Sequence, residues 1–248
     1  MTTAFGVTHT LAHGVNGKAI DIYRPGAADP GSLPTVLLWH GRGPDERDVL
    51  QPLAETAARL GAAVLVPDWR SDAPDGGRAH LLDSLEFARE YAASPGGGAD
   101  HLVLAGWSAG GPAAVAIALR PDLVGGWRPM AALSIAARYD WPSRTTGNSP
   151  LNDLARTSAA AVPVWLVHGT TDVVVENQHS QEFADALHGR GWPIHLEEPD
   201  THHAGVVMTE YVPDLDRCRP TTTHHALLGG THTARLLTHA AGLTTAPA

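Results

Sequence analysis

Short apolar runs alternate with helical repeats along most of this 248-residue chain. Two strands are predicted first, over 5–12 and 18–23, joined as a hairpin through His13-Gly14-Val15-Asn16-Gly17. Thr35-Val36-Leu37-Leu38-Trp39 is a continuous apolar run, as expected of a strand buried on both faces. Val49, Leu50, Leu53, Ala57 and Leu60 recur at helical spacing, and Gly61 is placed to end that helix. A strand over 62–66 follows. Leu81, Leu82, Leu85, Ala88 and Tyr91 then line one helical face before the Pro95-Gly96-Gly97-Gly98 break. Strands over 101–105, 129–136, 163–167 and 194–197 alternate with helices over 112–119 and 183–187, and a last helix covers 234–241.

This alternation implies right-handed crossovers and an α/β architecture. The expectation is a three-layer α/β/α sandwich around a mainly parallel sheet of about eight strands. No internal repeat or long linker divides the chain, so residues 1–248 read as one domain. Segment 140–162 is the least regular, with Pro142, Pro150 and several Ser, Thr and Asn residues. It reads as a loop with a short helix, placed where a cap could cover a pocket and short enough that any cap is minimal. Tail 213–248 reads as polar and turn-rich outside its helix.

Composition removes several classes of function. A formal charge of −9 argues against a sequence-independent grip on nucleic acid, which needs clustered cations. Cys218 is the only cysteine, so no intrachain disulfide or cysteine-based zinc cluster can form. Lys18 is the only lysine and lies in the predicted hairpin, which disfavours Schiff-base chemistry. The segment 1–6 has no signal-peptide pattern, and no apolar stretch approaches the ~20 residues that span a bilayer. A cytoplasmic protein without a membrane partner is the expectation, with its oligomeric state left open. Fifteen histidines are scattered, and His224, His225 and His232 lie in the tail without a carboxylate frame, so no metal is expected. Gly96-Gly97-Gly98 lacks nucleotide-binding spacing, so no nucleotide cofactor is expected either.

Three segments carry candidate chemistry. Gly106-Trp107-Ser108-Ala109-Gly110 sits between a predicted strand and a predicted helix, the setting in which G-x-S-x-G becomes a nucleophile elbow. The strand over 163–167 runs into His168-Gly169-Thr170-Thr171-Asp172, and the next runs into Glu198-Pro199-Asp200-Thr201-His202-His203-Ala204-Gly205. A serine hydroxyl needs a base, and the base needs an acid to orient it. Ser, Asp and His occur in the order associated with such elbows, each beyond the C-terminal edge of a strand.

With His40-Gly41-Arg42-Gly43 after the third strand, and Asp68-Trp69-Arg70 after the fourth, the chain resembles α/β-hydrolase-fold serine hydrolases, small esterases in particular. The likeness runs from about Thr35 to Gly205. Arg42 departs from it, because esterase-type members often carry glycine there. The resemblance implies Ser108 as nucleophile, His203 as base and Asp172 as the acid behind it. His202 competes with His203, which is preferred because Ala204-Gly205 follow it. Asp140 competes with Asp172, since some relatives draw the acid from that strand. The implied oxyanion hole uses the amides of Ala109 and Arg42, with Gly41 as the second choice on that loop. By position Trp69, Trp107 and Trp141 are candidate pocket walls, while Trp39 and Trp165 lie within strands. His40 and His168, at strand ends before glycine, read as loop supports.

The resulting expectation is a carboxylic ester hydrolase with a small-molecule ester substrate and little or no cap. Short acyl groups are expected, because no large apolar cap shelters a long chain. An amidase or small peptidase with the same triad, and a non-catalytic ligand-binding member of the fold, are the other readings the residues allow.

Overall fold

The computed structural model describes residues 6–26, 33–93 and 97–243, with the backbone alone over 97–101. Phe5, the Pro95-Gly96 part of the predicted break and tail residues 244–248 lie outside the described residues. Eight strands form one sheet: β1 (Val7–His13), β2 (Ala19–Pro25), β3 (Leu33–Trp39), β4 (Ala63–Pro67), β5 (Gly97–Trp107), β6 (Ala131–Ile135), β7 (Val164–Val167) and β8 (Ile194–Glu197). Their order is β1-β2-β4-β3-β5-β6-β7-β8. The β1–β2 and β2–β4 pairs are antiparallel, and every pair from β4–β3 to β7–β8 is parallel.

Helices α1 (Arg47–Arg59), α2 (Arg78–Ala93), α3 (Gly110–Leu119), α4 (Pro150–Arg156), α5 (Gln178–Gly189) and α6 (His224–Ala240) cover the sheet. The period-2 geometry of a strand decides which core each residue joins. Val36, Leu38, Val64, Val66, Val103 and Ala105 pack with α1 and α6 through Val49, Leu53, Ala234 and Leu237. Their neighbours Leu37, Trp39, Leu65, Leu102 and Leu104 pack on the other face with Leu81 and Leu85 of α2 and Ala113 and Ile117 of α3. Further along that sheet, Val164 and Leu166 join Val115 and Leu119 of α3 and Phe183 and Leu187 of α5. Because both faces are covered, the strands read as continuous apolar runs.

Two elements differ from the sequence expectation. A small antiparallel hairpin, β9 (Thr209–Val212) with β10 (Arg217–Pro220), follows β8. Helix α6 starts at His224, ten residues before the predicted start at Ala234. Gly229 and Gly230 disfavour that stretch by propensity. A Cβ on Gly229 would lie 2.5 Å from Thr201 Cγ2, and one on Gly230 would overlap Met208. Close packing on the 201–208 loop therefore overrides the local preference.

Candidate active site

Ser108 occupies the turn between β5 and α3 with φ of +53°, in the left-handed region that non-glycine residues rarely enter. The turn is this tight because α3 starts against the sheet. A Cβ on Gly106 would overlap the Gly110 carbonyl, and one on Gly110 would lie 2.5 Å from Trp39 O and 2.7 Å from His40 O. The Ser108 amide donates to Ile135 O at the end of β6, 2.8 Å away, which fixes the turn on the sheet. Ser108 and Ala109 both line a cavity of about 870 Å³. The first amides of α3 lack intrahelical acceptors and carry the positive end of the helix dipole.

Asp172, just beyond β7, is buried and its carboxylate has four donors. Oδ1 accepts the amides of Val174 (2.8 Å) and Val175 (2.9 Å). Oδ2 lies 2.7 Å from Nδ1 of His203 and 3.2 Å from Nε2 of His168. Burial alone would push this carboxyl up; the bonds from His168 and His203, the His203 charge and the Val175 amide outweigh it and hold the group well below the usual carboxylate range. Trp107, next to Ser108 in sequence, donates from Nε1 to His203 O at 3.0 Å, and the two rings are 5.3 Å apart. Among the described residues, neither the Ser108 hydroxyl nor His203 Nε2 has a hydrogen-bond partner.

The competing residues are engaged elsewhere. His202 Nδ1 accepts the Gly205 amide at 3.0 Å, and its ring meets His225 edge-on. Asp140 takes two bonds from Arg138, at 2.8 and 2.6 Å, and is 3.8 Å from His179.

Loop 40–46 forms the facing wall. His40 is fully buried, which lowers its pKa to about 4 even though the Gly41 carbonyl, 3.0 Å from Nδ1, works the other way. The Trp69 amide donates to His40 Nε2 (3.3 Å) and Trp69 Nε1 donates to His40 O (3.2 Å). These two bonds turn Trp69 inward: it is fully buried beneath the loop and does not line the cavity, unlike the pocket wall expected from sequence. Trp107 and Trp141 do line it. Trp141 is 61% exposed, with the Arg138 guanidinium 4.0 Å over its ring. Gly41, Arg42 and Gly43 face the cavity, and Glu46 accepts the Gly43 amide at 2.9 Å.

No protein-family model and no curated protein matches the chain. Its fold, however, is found among solved structures. Thermogutta terrifontis esterase 2 phosphorylated by paraoxon aligns at TM-score 0.74 and 19% identity, over 97% of this chain and 96% of that one. The propionate-bound structure of Est2, the thermophilic esterase of the same organism, aligns at TM-score 0.72 and 19% identity, over 100% and 98%. A thermostable esterase from Pseudomonas putida aligns at TM-score 0.68 and 16% identity, over 100% and 86%. The chain has the α/β-hydrolase fold.

In an α/β-hydrolase fold the C-terminal edge of the parallel strands is where ligands gather. Loop 40–46, Ser108, Asp172 and His203 all follow such strand ends here. Segment 140–162 supplies Trp141, Pro142, Ser143 and Arg144 to the cavity. Sequence reasoning did not foresee Val173 and Val174, 91% and 69% exposed on the rim, nor Tyr211 and Asp216 of the β9–β10 hairpin. Thr209, Tyr211 and Val212, closed by Pro213-Asp214, carried a weak strand-and-turn signal for that hairpin.

One group of side chains could in principle hold a cation: donor atoms of His202, Glu210 and His225 lie within 4.8 Å of one another. Glu210 supplies the carboxylate that the tail histidines lacked in sequence. The chemistry of the set does not suit a resident metal. Since His202 Nδ1 accepts an amide hydrogen, the proton of the neutral ring is on Nε2, and neither nitrogen keeps a free lone pair. His225 and Glu210 alone are fewer than the three protein ligands of a catalytic zinc site.

Proposed function

We propose that this chain is a serine hydrolase that cleaves carboxylic esters through an acyl-enzyme. One α/β-hydrolase domain, with segment 140–162 as a minimal cap, would carry the whole reaction. The observation that carries the reading is the buried Asp172–His203 pair at 2.7 Å, with the next residue after the Trp107 that holds His203 being a serine strained into the left-handed region. Among the described residues His203 Nε2 and the Ser108 hydroxyl have no partner, which is compatible with this reading because catalytic hydrogen bonds often tighten only when substrate binds.

In this mechanism the Ser108 oxygen attacks the ester carbonyl while His203 Nε2 takes the hydroxyl proton. Asp172 holds the ring and stabilises its positive charge. The amides of Ala109 and Arg42, with Gly41 the alternative on that loop, donate to the developing oxyanion. Each such donor lowers the barrier by about 3 kcal/mol. His203 passes its proton to the departing alkoxide, leaving Ser108 acylated. A water then loses its proton to His203, attacks the acyl carbon and releases the acid, and the proton returns to Ser108.

The test is hydrolysis of p-nitrophenyl esters of graded chain length, with matched anilides, by wild type and Ser108→Ala. Ester turnover that vanishes in the variant, with fluorophosphonate labelling of Ser108, supports the proposal. Undiminished turnover by Ser108→Ala overturns it, and anilide rates comparable to ester rates would reassign the enzyme as an amidase.

A further inference from the structure

We propose that His168 is a positioning residue for Asp172, sharing the carboxylate oxygen that orients His203. This rests on the function proposed above and adds a residue that the nucleophile–base–acid scheme does not use. His168 follows β7 and is wholly buried. Its Nε2 lies 2.8 Å from Val175 O and 3.2 Å from Asp172 Oδ2. A carbonyl and a carboxylate can only accept, so the hydrogen of the neutral ring must be on Nε2, shared between them. Nδ1 is then the acceptor, and the Ser180 hydroxyl, 2.7 Å away on α5, can donate to it. The tautomer is fixed at Nε2, and the Ser180 hydroxyl, which can donate or accept, complies with it.

A ring needed only to brace the loop would be satisfied by Val175 O and Ser180. Nε2 instead also faces the oxygen that His203 uses. Asp172 Oδ2 thus receives two imidazole N–H groups, while Oδ1 is held by two amides. With rotation blocked and its charge shared, the carboxylate presents one fixed direction and a moderated charge to His203. Among the described residues, the other charged or titratable groups that act on this assembly include His202, adjacent in the chain, Glu46, just before α1, and Tyr139, whose hydroxyl bonds Ser180.

Removing the His168 donor leaves more negative charge opposite His203, which favours the protonated ring, and lets the carboxylate swing. The experiment uses the full-length chain and p-nitrophenyl acetate across pH 5–9. His168→Leu is expected to lower kcat about tenfold with KM nearly unchanged, as misplacement of a catalytic group does. It should also move the acid limb of kcat/KM to higher pH. His168→Gln, whose amide N–H reaches toward the former Nε2 position, should recover most of both effects. Equal losses in both variants with an unmoved acid limb would mean a brace only and would overturn the proposal. If His168→Leu does not fold, His168→Met, which also lacks the N–H, takes its place: a lower kcat with an acid limb at higher pH supports the proposal, and an unmoved limb overturns it. Hydrolysis that survives Ser108→Ala would instead sink the proposed function itself, whatever the His168 variants do.

Discussion

Asp172→Asn is the substitution whose outcome the geometry fixes most tightly. The Val174 and Val175 amides can only donate, so the asparagine carbonyl must take the Oδ1 position. Its NH2 group then sits at Oδ2, facing His203 Nδ1 at 2.7 Å and His168 Nε2 at 3.2 Å. His168 cannot accept from it, because its Nε2 hydrogen is also held by Val175 O. His203 can, by moving its hydrogen from Nδ1 to Nε2, the atom that takes the Ser108 proton in the proposed mechanism. Trapping the base in that tautomer costs about 10⁴ in kcat in triad enzymes, which is ~5.5 kcal/mol of transition-state stabilisation. The expected result is a loss of that size in initial rates on p-nitrophenyl acetate, with KM little changed. The mismatch at His168 should lower stability by about 1–3 kcal/mol in urea unfolding. Asp140→Asn is the control, since that carboxylate is tied to Arg138 at the rim, and it should leave the rate within about threefold, as a change away from the reacting atoms does. Retention of more than a tenth of wild-type kcat by Asp172→Asn, or a collapse caused by Asp140→Asn, would refute the reasoning.

Other outcomes follow from the same geometry. Ser108→Gly removes the left-handed strain at φ +53° and should raise unfolding free energy by about 0.5–1 kcal/mol while abolishing hydrolysis; an equal or lower value in urea melts contradicts the strain argument. Trp107→Phe keeps a ring beside His203 but loses the bond to His203 O, so kcat should fall about tenfold and the unpaired carbonyl should lower stability by about 1–3 kcal/mol in urea melts. His40 titrates near 4 in the folded protein and at 6.5 in the unfolded chain. Between those values the unfolded state binds more protons, so this contribution to stability is whole above pH 6.5 and is lost as pH falls toward 4. The loss should reach about 3 kcal/mol, and His40→Asn should flatten the stability profile over that window.

Much of the framework was readable because both sheet faces are covered. Runs such as Val36-Leu37-Leu38-Trp39 could be little else than buried strands, and each candidate side chain follows one. The order of Ser108, Asp172 and His203 was legible for the same reason. What the residues alone could not separate was His202 from His203, because the choice depends on a Gly205 amide that seals one ring and a Trp107 indole that holds the backbone of the other. Trp69 was misplaced since strand-end position does not say which way an indole turns; its two bonds to His40 decide that. The β9–β10 hairpin escaped because strands of four residues carry almost no periodicity.

That hairpin joins regions more than 160 residues apart. Arg217 bonds Asp45 O at 2.6 Å and the Asp48 carboxylate, and Arg219 reaches the same carboxylate at 2.9 Å. Tyr211 and Asp216 at the mouth are thereby buckled to the segment that carries Arg42 and Gly43. Swapping in a longer or shorter hairpin to admit bulkier esters would also slacken the segment proposed to grip the oxyanion. Under the proposed function, entry selectivity and catalytic power become a single mechanical trait, and reshaping one means retuning the other.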